Sequence, residues 1–471
     1  MAEGVDIVDV VIMAAGKGTR MKSKLPKVLH PLAGRALVHH VLATASALGA
    51  RQAVLITGHE AESVEAACGP DSGVLGALKL QCVRQEPQLG TGHAVQQAVP
   101  VLPDDGIVVV LSGDVPLTQV QTLRELIAVG GGDKLALLTL QLDDPMGYGR
   151  IVRDGGGDNA PVRAIVEQKD ASAGQLAIRE IYSGIMAVPA RLLKIWLARL
   201  ENDNAQNEYY LTDIVKFAVA DGVPVLAHRI TDEVQVAGVN SPVQLAELER
   251  AHQLRQATLL MEQGVRIADP SRFDLRGTLV CGQDVTIDVN CVFEGNVTLG
   301  DDVRIGANCV VANAVIDSGA VIHPFTHIDG EKQGVKVGAG ALIGPFARLR
   351  PGADLGPQVH IGNFVEVKNS TMARGAKANH LAYLGDATVG ERVNYGAGSI
   401  TANYDGAFKH HTTIEADVHV GSNCVLVAPV TIGAGGTIGG GSTITKDTAA
   451  GALSVARGKQ VSIPGWIRPS K

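Results

Sequence analysis

Residues 14–30 read AAGKGTRMKSKLPKVLH and follow the run Asp9-Val10-Val11-Ile12-Met13. A glycine-rich turn directly after a strand exposes backbone N–H groups to an anion. Lys17, Arg20 and Lys27 add positive charge beside it. Phosphate binding is the chemistry this string suits; Gly16-x-Gly18 alone would leave a plain strand–helix connection with a solvated basic face. The pattern G-x-x-x-x-G-K-[ST] is absent, and a dinucleotide fingerprint fails because its third glycine would fall on Met21. Val110-Leu-Ser112-Gly113-Asp114 ends a second apolar run in a carboxylate, which is either a turn acid or a hard ligand of the kind Mg²⁺ takes. Far downstream, Lys377-Ala-Asn-His380-Leu-Ala-Tyr383 carries an imidazole. With an ordinary pKa near ~6.5, histidine suits a general base at neutral pH; a loop histidine bonded to backbone is the bland alternative. His410-His411 suggests a metal only weakly, since adjacent histidines in a polar loop are more often solvated, and no transition metal is assigned.

Two kinds of element must position these groups. In the first half, apolar strand candidates Val8–Met13, Ala53–Ile56, Ile107–Leu111, Leu135–Gln141 and Val223–His228 alternate with helical periodicity at Ala36–Leu48 and Gln119–Val129. That alternation implies an α/β domain with a largely parallel, Rossmann-like sheet and ligands at the C-terminal strand ends. Val239-Asn240 reads as the end of a late strand. A linker helix follows, so the divisions expected are 1–241, 242–264 and 265–471. From about Arg272 an aliphatic residue followed by Gly recurs every six residues, as in Leu299-Gly300, Ile305-Gly306, Ile343-Gly344, Ile361-Gly362, Val420-Gly421 and Ile438-Gly439. This is the hexapeptide repeat of a parallel β-helix, three short strands per coil of about eighteen residues with the aliphatic side chain inward. Phase changes between Ile361 and Val389, between Tyr395 and Val420, and near Asp329–Gly334 imply inserted residues that project as loops. Cys291, Cys309 and Cys424 occupy the small inward position; Cys291 and Cys309 should stack, as buried thiols rather than a disulfide.

With 471 residues the chain holds two or three domains. A net charge of −7 argues against nucleic-acid binding. Aromatics at 3% with 56 glycines fit a repetitive β architecture in part of the chain. No leader pattern and no run of membrane-spanning length is read, which points to a cytoplasmic protein without a membrane partner.

Met13-Ala14-Ala15-Gly16-Lys-Gly-Thr-Arg20-Met with Leu-Pro-Lys27 resembles the signature of sugar-nucleotide pyrophosphorylases. Gln85-Glu-Pro-Gln-Leu-Gly90-Thr91 resembles their uracil-recognising segment, and Gly147-Tyr-Gly149-Arg their sugar-side loop; Ser112-Gly113-Asp114, Glu167 and Val239-Asn240 agree in order. Arg348-Leu-Arg350, Gly362–Lys368, His380–Tyr383, Asn394-Tyr-Gly-Ala397 and Ala402-Asn403-Tyr404 are similar to the acetyltransferase half of the bacterial bifunctional N-acetylglucosamine-1-phosphate uridyltransferase/glucosamine-1-phosphate acetyltransferase family. The resemblance covers nearly the whole chain. It implies a nucleotidyltransferase domain and a left-handed β-helix that trimerises. It also implies acetyl transfer from acetyl-CoA to glucosamine 1-phosphate with His380 as base, then transfer from UTP to N-acetylglucosamine 1-phosphate with Mg²⁺ on Asp114 and Asn240. Lys27 and Arg20 would offset charge on the departing pyrophosphate. Arg350 and Lys368 would hold the sugar phosphate, Tyr383 and Asn394 the sugar, and Ala397, Asn403, Tyr404, Ser422, Gly440 and Arg457 acetyl-CoA. The product would feed cell-envelope polysaccharides. One departure stands out: Glu180-Ile-Tyr182-Ser-Gly184 has Tyr where the family usually has an Asn that contacts the sugar. Two rivals predict less: a single-site nucleotidyltransferase with a regulatory rod, or a non-enzymatic assembly rod.

Overall fold

The strand Val8–Met13 is apolar on both faces because both faces of its sheet are covered. Val10 and Ile12 join one buried cluster with Leu42, Leu55 and Leu123, while Val11 joins another with Ile56, Val110 and Trp196. In the computed structural model, which describes residues 7–70, 73–155 and 160–469, this strand lies in the interior of the N-terminal sheet. Residues 1–6, on which the exclusion of a leader partly rests, lie outside the described residues. Val8–Met13 pairs in parallel with Gln52–Thr57 on one side and Ile107–Ser112 on the other. Lys79–Arg84 closes one edge and Val225–Ile230 the other, with the antiparallel Glu180–Pro189 wedged between Ile107–Ser112 and Leu135–Gln141. Connections from Val8–Met13 run toward both edges, so a crevice opens at the C-terminal ends of Val8–Met13 and Ile107–Ser112. There Met13 stands in register with Ser112.

Two sequence expectations are corrected. The last strand runs two residues later than read, over Val225–Ile230, because Val223-Pro224 precedes it and proline gives no N–H to a ladder. Val239-Asn240 ends no strand; the segment before Ser241 is irregular, tied to the sheet's end by one bond, Val239 N–H to the Asp114 carbonyl at 2.9 Å. A helix, Pro242–Glu262, contains the point at which the chain divides into two compact units, Met1–His252 and Gln253–Lys471.

The second unit is a parallel β-helix. One of its faces is an eleven-stranded parallel sheet running from Arg266–Ile267 to Leu453–Ser454. Ile305, Ile322, Ile343, Ile361, Ala378, Tyr395, Val420 and Ile438 follow one another along it, all buried. Each fully buried aliphatic side chain contributes about 1.5–3 kcal/mol. Cys291, Cys309 and Cys424 are buried in this core as free thiols. Burial pushes the Cys309 thiol up to about 12, and it rests against the His323 carbonyl at 3.3 Å.

Coil length explains the phase changes, and one explanation differs from expectation. Ile361 pairs with Ala378, and Ala378 with Tyr395. Both steps are one residue short of the eighteen separating Ile343 from Ile361. The break between Ile361 and Val389 is therefore two deletions, and His380 ends a regular strand, Lys377–His380, rather than riding on an inserted loop. Tyr395 to Val420 is an insertion, accommodated by a loop in which Tyr404 and Lys409 form an isolated bridge. The break near 329–334 is a second insertion, closed by Gly334 N–H to the Gly330 carbonyl at 2.8 Å.

Gly362 marks how tightly the shortened coils stack. A Cβ there would lie 1.8 Å from the Asn379 carbonyl oxygen, a backbone atom that cannot step aside alone. Gly362→Ala is expected to destabilise the rod by about 3 kcal/mol, the upper end of overpacking costs. A lowered urea midpoint for the second unfolding transition checks it; an unchanged midpoint would show that the coils can part freely.

Candidate functional sites

At the crevice of the N-terminal sheet, Met13, Ala14, Ala15, Gly16, Lys27, Gln85, Gly90, Thr91, Ser112 and Asp114 line a cleft of about 440 Å³. Gly18 takes a left-handed φ of 59°, and a Cβ on it would meet the Lys27 Cβ at 2.6 Å. The glycine therefore lets the loop fold back and bring Lys27 under the strand ends. Lys27 Nζ lies 2.5 Å from Asp114 Oδ2 and 3.2 Å from Asn240 Oδ1. Arg20 reaches the same Asn240 oxygen at 2.9 Å. Gly113 forms the turn between them, its N–H on the Met13 carbonyl at 2.9 Å. Arg20 and Asn240 stand at the margin of this group rather than in the cleft wall.

Two hard oxygens thus converge on one cationic nitrogen. The Asp114 and Asn240 donor set fits a divalent ion such as Mg²⁺, which takes few protein oxygens and keeps water and phosphate besides. Among the described residues there is no cluster of three or more His, Cys, Asp or Glu side chains that would favour a transition metal.

A second cavity of about 210 Å³ shares Met13, Thr91 and Ser112 with the cleft and is lined also by Gly149, Glu167 and Tyr182. Burial raises the Glu167 carboxyl above the usual range, opposed by a bond from Thr212 Oγ1 at 2.9 Å. Tyr182 is 7% exposed and its hydroxyl has no partner; burial, then the Glu167 charge, pushes that hydroxyl well up. The Gln85 amide donates to the Gly90 carbonyl at 2.9 Å. Sequence reasoning missed Gln88, which donates to the Ala15 carbonyl, and Thr212 and Tyr148 of the second cavity.

On the rod, His380, Asn394, Ala397 and Ser422 share a cavity of about 380 Å³ at the end of the Lys377–His380 strand. His380 Nδ1 lies 2.9 Å from Asn363 Oδ1. With Asn363 presenting its carbonyl oxygen, Nδ1 carries the proton and Nε2 keeps the lone pair that a base needs. Gly440 and Arg457 adjoin this group, Arg457 donating to the Gly440 carbonyl at 2.7 Å, while a Cβ on Gly440 would lie 3.4 Å from the Ser422 carbonyl oxygen.

The remaining predicted residues stand elsewhere on the same rod. Arg350 pairs with Glu366 at 2.8 Å, and Glu366 stands in register with Tyr383, Lys368 with Gly385. Arg350 follows the strand Arg348–Leu349, which with Glu366–Lys368 and Tyr383–Gly385 belongs to a second parallel sheet of the rod, and Tyr383 lies just past the corner that follows His380. Asn403 donates to Asp386, and the Tyr404 hydroxyl to the Gly406 carbonyl at 2.6 Å. Lys409, missed by the sequence reading, comes up beside Lys368; it is the main cause holding the Lys368 ammonium below its ordinary range. Among the described residues, the cavity at His380 is not lined by Arg350, Lys368, Tyr383, Asn403 or Tyr404.

The comparisons with known proteins agree with both halves. Residues 10–155 match the MobA-like NTP transferase domain, and residues 279–313 and 411–446 match the bacterial transferase hexapeptide family. The chain is 77% identical over 463 residues to the bifunctional protein GlmU of Polaromonas naphthalenivorans, covering 98% of each chain. It is 75% identical to that of Polaromonas sp. over 472 residues, again 98% of each. To that of Aromatoleum aromaticum it is 56% identical over 463 residues, 98% of this chain and 99% of the other. The chain belongs to the bifunctional GlmU family, enzymes that join a nucleotidyltransferase domain to a hexapeptide-repeat acetyltransferase domain.

Proposed function

We propose that the rod acetylates glucosamine 1-phosphate from acetyl-CoA and that the N-terminal domain then transfers uridylyl from UTP to N-acetylglucosamine 1-phosphate, releasing pyrophosphate. The observation that carries the nucleotidyl half is the convergence of Asp114, Asn240 and Lys27 beside the glycine loop. Mg²⁺ held by Asp114 and Asn240 would neutralise charge on the triphosphate. Lys27 and Arg20, freed from those oxygens, would turn to the departing pyrophosphate. Gln85, its amide NH₂ engaged by Gly90, keeps a carbonyl oxygen for the imino N–H of uracil. Gly149, Glu167 and Tyr182 would hold the sugar. The sugar phosphate is itself the nucleophile, so no protein nucleophile is needed.

In the rod, His380 Nε2 would take the proton of the amine as it attacks the thioester. Arg350 and Lys368 would grip the phosphate, Tyr383 and Asn394 the sugar. Ala397, Asn403, Tyr404, Ser422, Gly440 and Arg457 would line acetyl-CoA. His380 and Asn394 are exposed on the single chain, which supports a site completed by a neighbouring copy in a homotrimer. So does an exposed ladder of stacked rings, Phe325, Phe346 and Phe364, with centroids 4.9 and 5.3 Å apart, continued by exposed Leu381 next to His380. The functional divisions would be 1–241, 242–264 and 265–471. Among the described residues no helix is long and apolar enough to cross a membrane, which fits a cytoplasmic enzyme feeding cell-wall synthesis.

The test is pyrophosphate release from UTP with N-acetylglucosamine 1-phosphate. Release is expected to need Mg²⁺, to stop on chelation, and to resume when Mg²⁺ is restored. Undiminished release in excess chelator would overturn the metal assignment.

A further inference from the structure

At one corner of the rod three polar residues stack on successive coils: Asn369, Asp386 and Asn403. The middle one is a buried carboxylate, 7% exposed. Its Oδ1 accepts from Asn369 Nδ2 at 2.5 Å, and its Oδ2 accepts from Asn403 Nδ2. Its backbone is pinned as well: the N–H donates to the Lys368 carbonyl and the carbonyl accepts from Thr412 N–H, both at 3.1 Å.

An asparagine amide on its own has two orientations that exchange donor for acceptor. A carboxylate only accepts, so it forces both neighbouring amides to turn their NH₂ groups inward. Asn403 is left presenting Oδ1, an acceptor, away from the corner. That has a consequence for what it can bind. The thioester carbonyl of acetyl-CoA is itself an acceptor and cannot pair with it. The pantetheine arm carries amide N–H donors that can.

We propose that Asp386 is a positioning residue of the acetyl site, fixing Asn403 as the acceptor for a pantetheine N–H of acetyl-CoA. The inference rests on the reading of Asn403 as an acetyl-CoA contact. It also separates the two substrates. Asp386 lies near Lys368, where Arg350 and Lys409 crowd three cations together. Removing the carboxylate leaves that phosphate-binding end no less positive, so only the acetyl-CoA end should weaken.

The experiment is steady-state CoA release by the full-length chain with each substrate varied in turn. Asp386→Asn is expected to raise the KM for acetyl-CoA about tenfold, one oriented hydrogen bond's worth. The KM for glucosamine 1-phosphate should not rise, and pyrophosphate release from UTP should not change. Adding Asn403→Asp should rescue the variant to within about threefold of wild type. The new carboxylate at 403 would accept from the new amide at 386 and still offer an oxygen outward. If Asp386→Asn folds poorly, Asn403→Ala carries the same test, since it removes the acceptor and keeps Asp386. An unchanged KM for acetyl-CoA, equal rises for both substrates, or a double variant no better than the single would overturn the proposal. A wild-type chain without amino-sugar-dependent CoA release would instead overturn the acetyl-site reading beneath it.

Discussion

His380→Ala is expected to lower glucosamine-1-phosphate-dependent CoA release by about 10²–10⁴-fold, the range a general base supplies. Pyrophosphate release from UTP should stay at the wild-type rate. The expectation rests on the ring's setting. Asn363 Oδ1 at 2.9 Å holds Nδ1, which leaves Nε2 free of that bond on a ring that lines the cavity shared with Asn394, Ala397 and Ser422. An amino sugar arrives largely as an ammonium ion, and it cannot attack until one proton leaves; Nε2 is positioned to take it. Asn363→Ala gives a graded control. It keeps the base but frees the ring to turn and to adopt either tautomer, so a smaller loss of about tenfold in kcat is expected, with little change in KM for acetyl-CoA. Equal losses in both variants would mean that the ring packs rather than transfers protons. A full rate in His380→Ala would move the base to another residue.

Why Asn363 escaped a reading of the sequence is instructive. The repeat was legible from aliphatic–glycine pairs, and the phase breaks were located correctly. Their sign was not. A deletion and an insertion shift the phase alike, so Lys377–Tyr383 read as a projecting loop when it is two strand ends and a corner. Had the seventeen-residue step from Ile361 to Ala378 been known, Asn363 would have fallen beside His380. The same step from 386 to 403 sets the carboxylate of Asp386 under Asn403. Partners in a solenoid lie one coil apart, and only the coil length converts position into contact.

In the N-terminal domain the glycine loop, the Asp114 strand end and the alternation of strands and helices were visible directly, because each is local. Asn240 was assigned its place in the site by resemblance but its backbone was misread as a strand, since Val236–Asn240 is apolar enough to imitate one. Tyr148 lies inside the Gly147-Tyr-Gly149 segment without standing out from it, and Thr212 carried no local signal. Thr212 becomes a site residue only because the fold carries it to within 2.9 Å of Glu167. Tyr182 was flagged as a departure, and the orphaned hydroxyl at the cavity wall is its structural counterpart.

Asp114→Asn should reduce pyrophosphate release from UTP by about 10³-fold and leave acetyl transfer intact. Asparagine keeps the shape of the side chain and an oxygen for Lys27 to touch, so the variant isolates the charge. Its negative charge now balances Lys27 at 2.5 Å. A divalent ion entering between Asp114 and Asn240 would displace that ammonium toward the phosphates, and a neutral amide would hold such an ion far less well. Metal-assisted charge stabilisation is worth several kcal/mol, and each 1.36 kcal/mol is tenfold in rate. Raising Mg²⁺ should recover part of the loss, because the defect lies in metal affinity. A rate that Mg²⁺ cannot raise would place the charge of Asp114 in the chemical step itself. A variant with the wild-type rate would reduce Asp114 to the partner that orients Lys27, and the metal would then have to rest on the nucleotide phosphates with Asn240 alone.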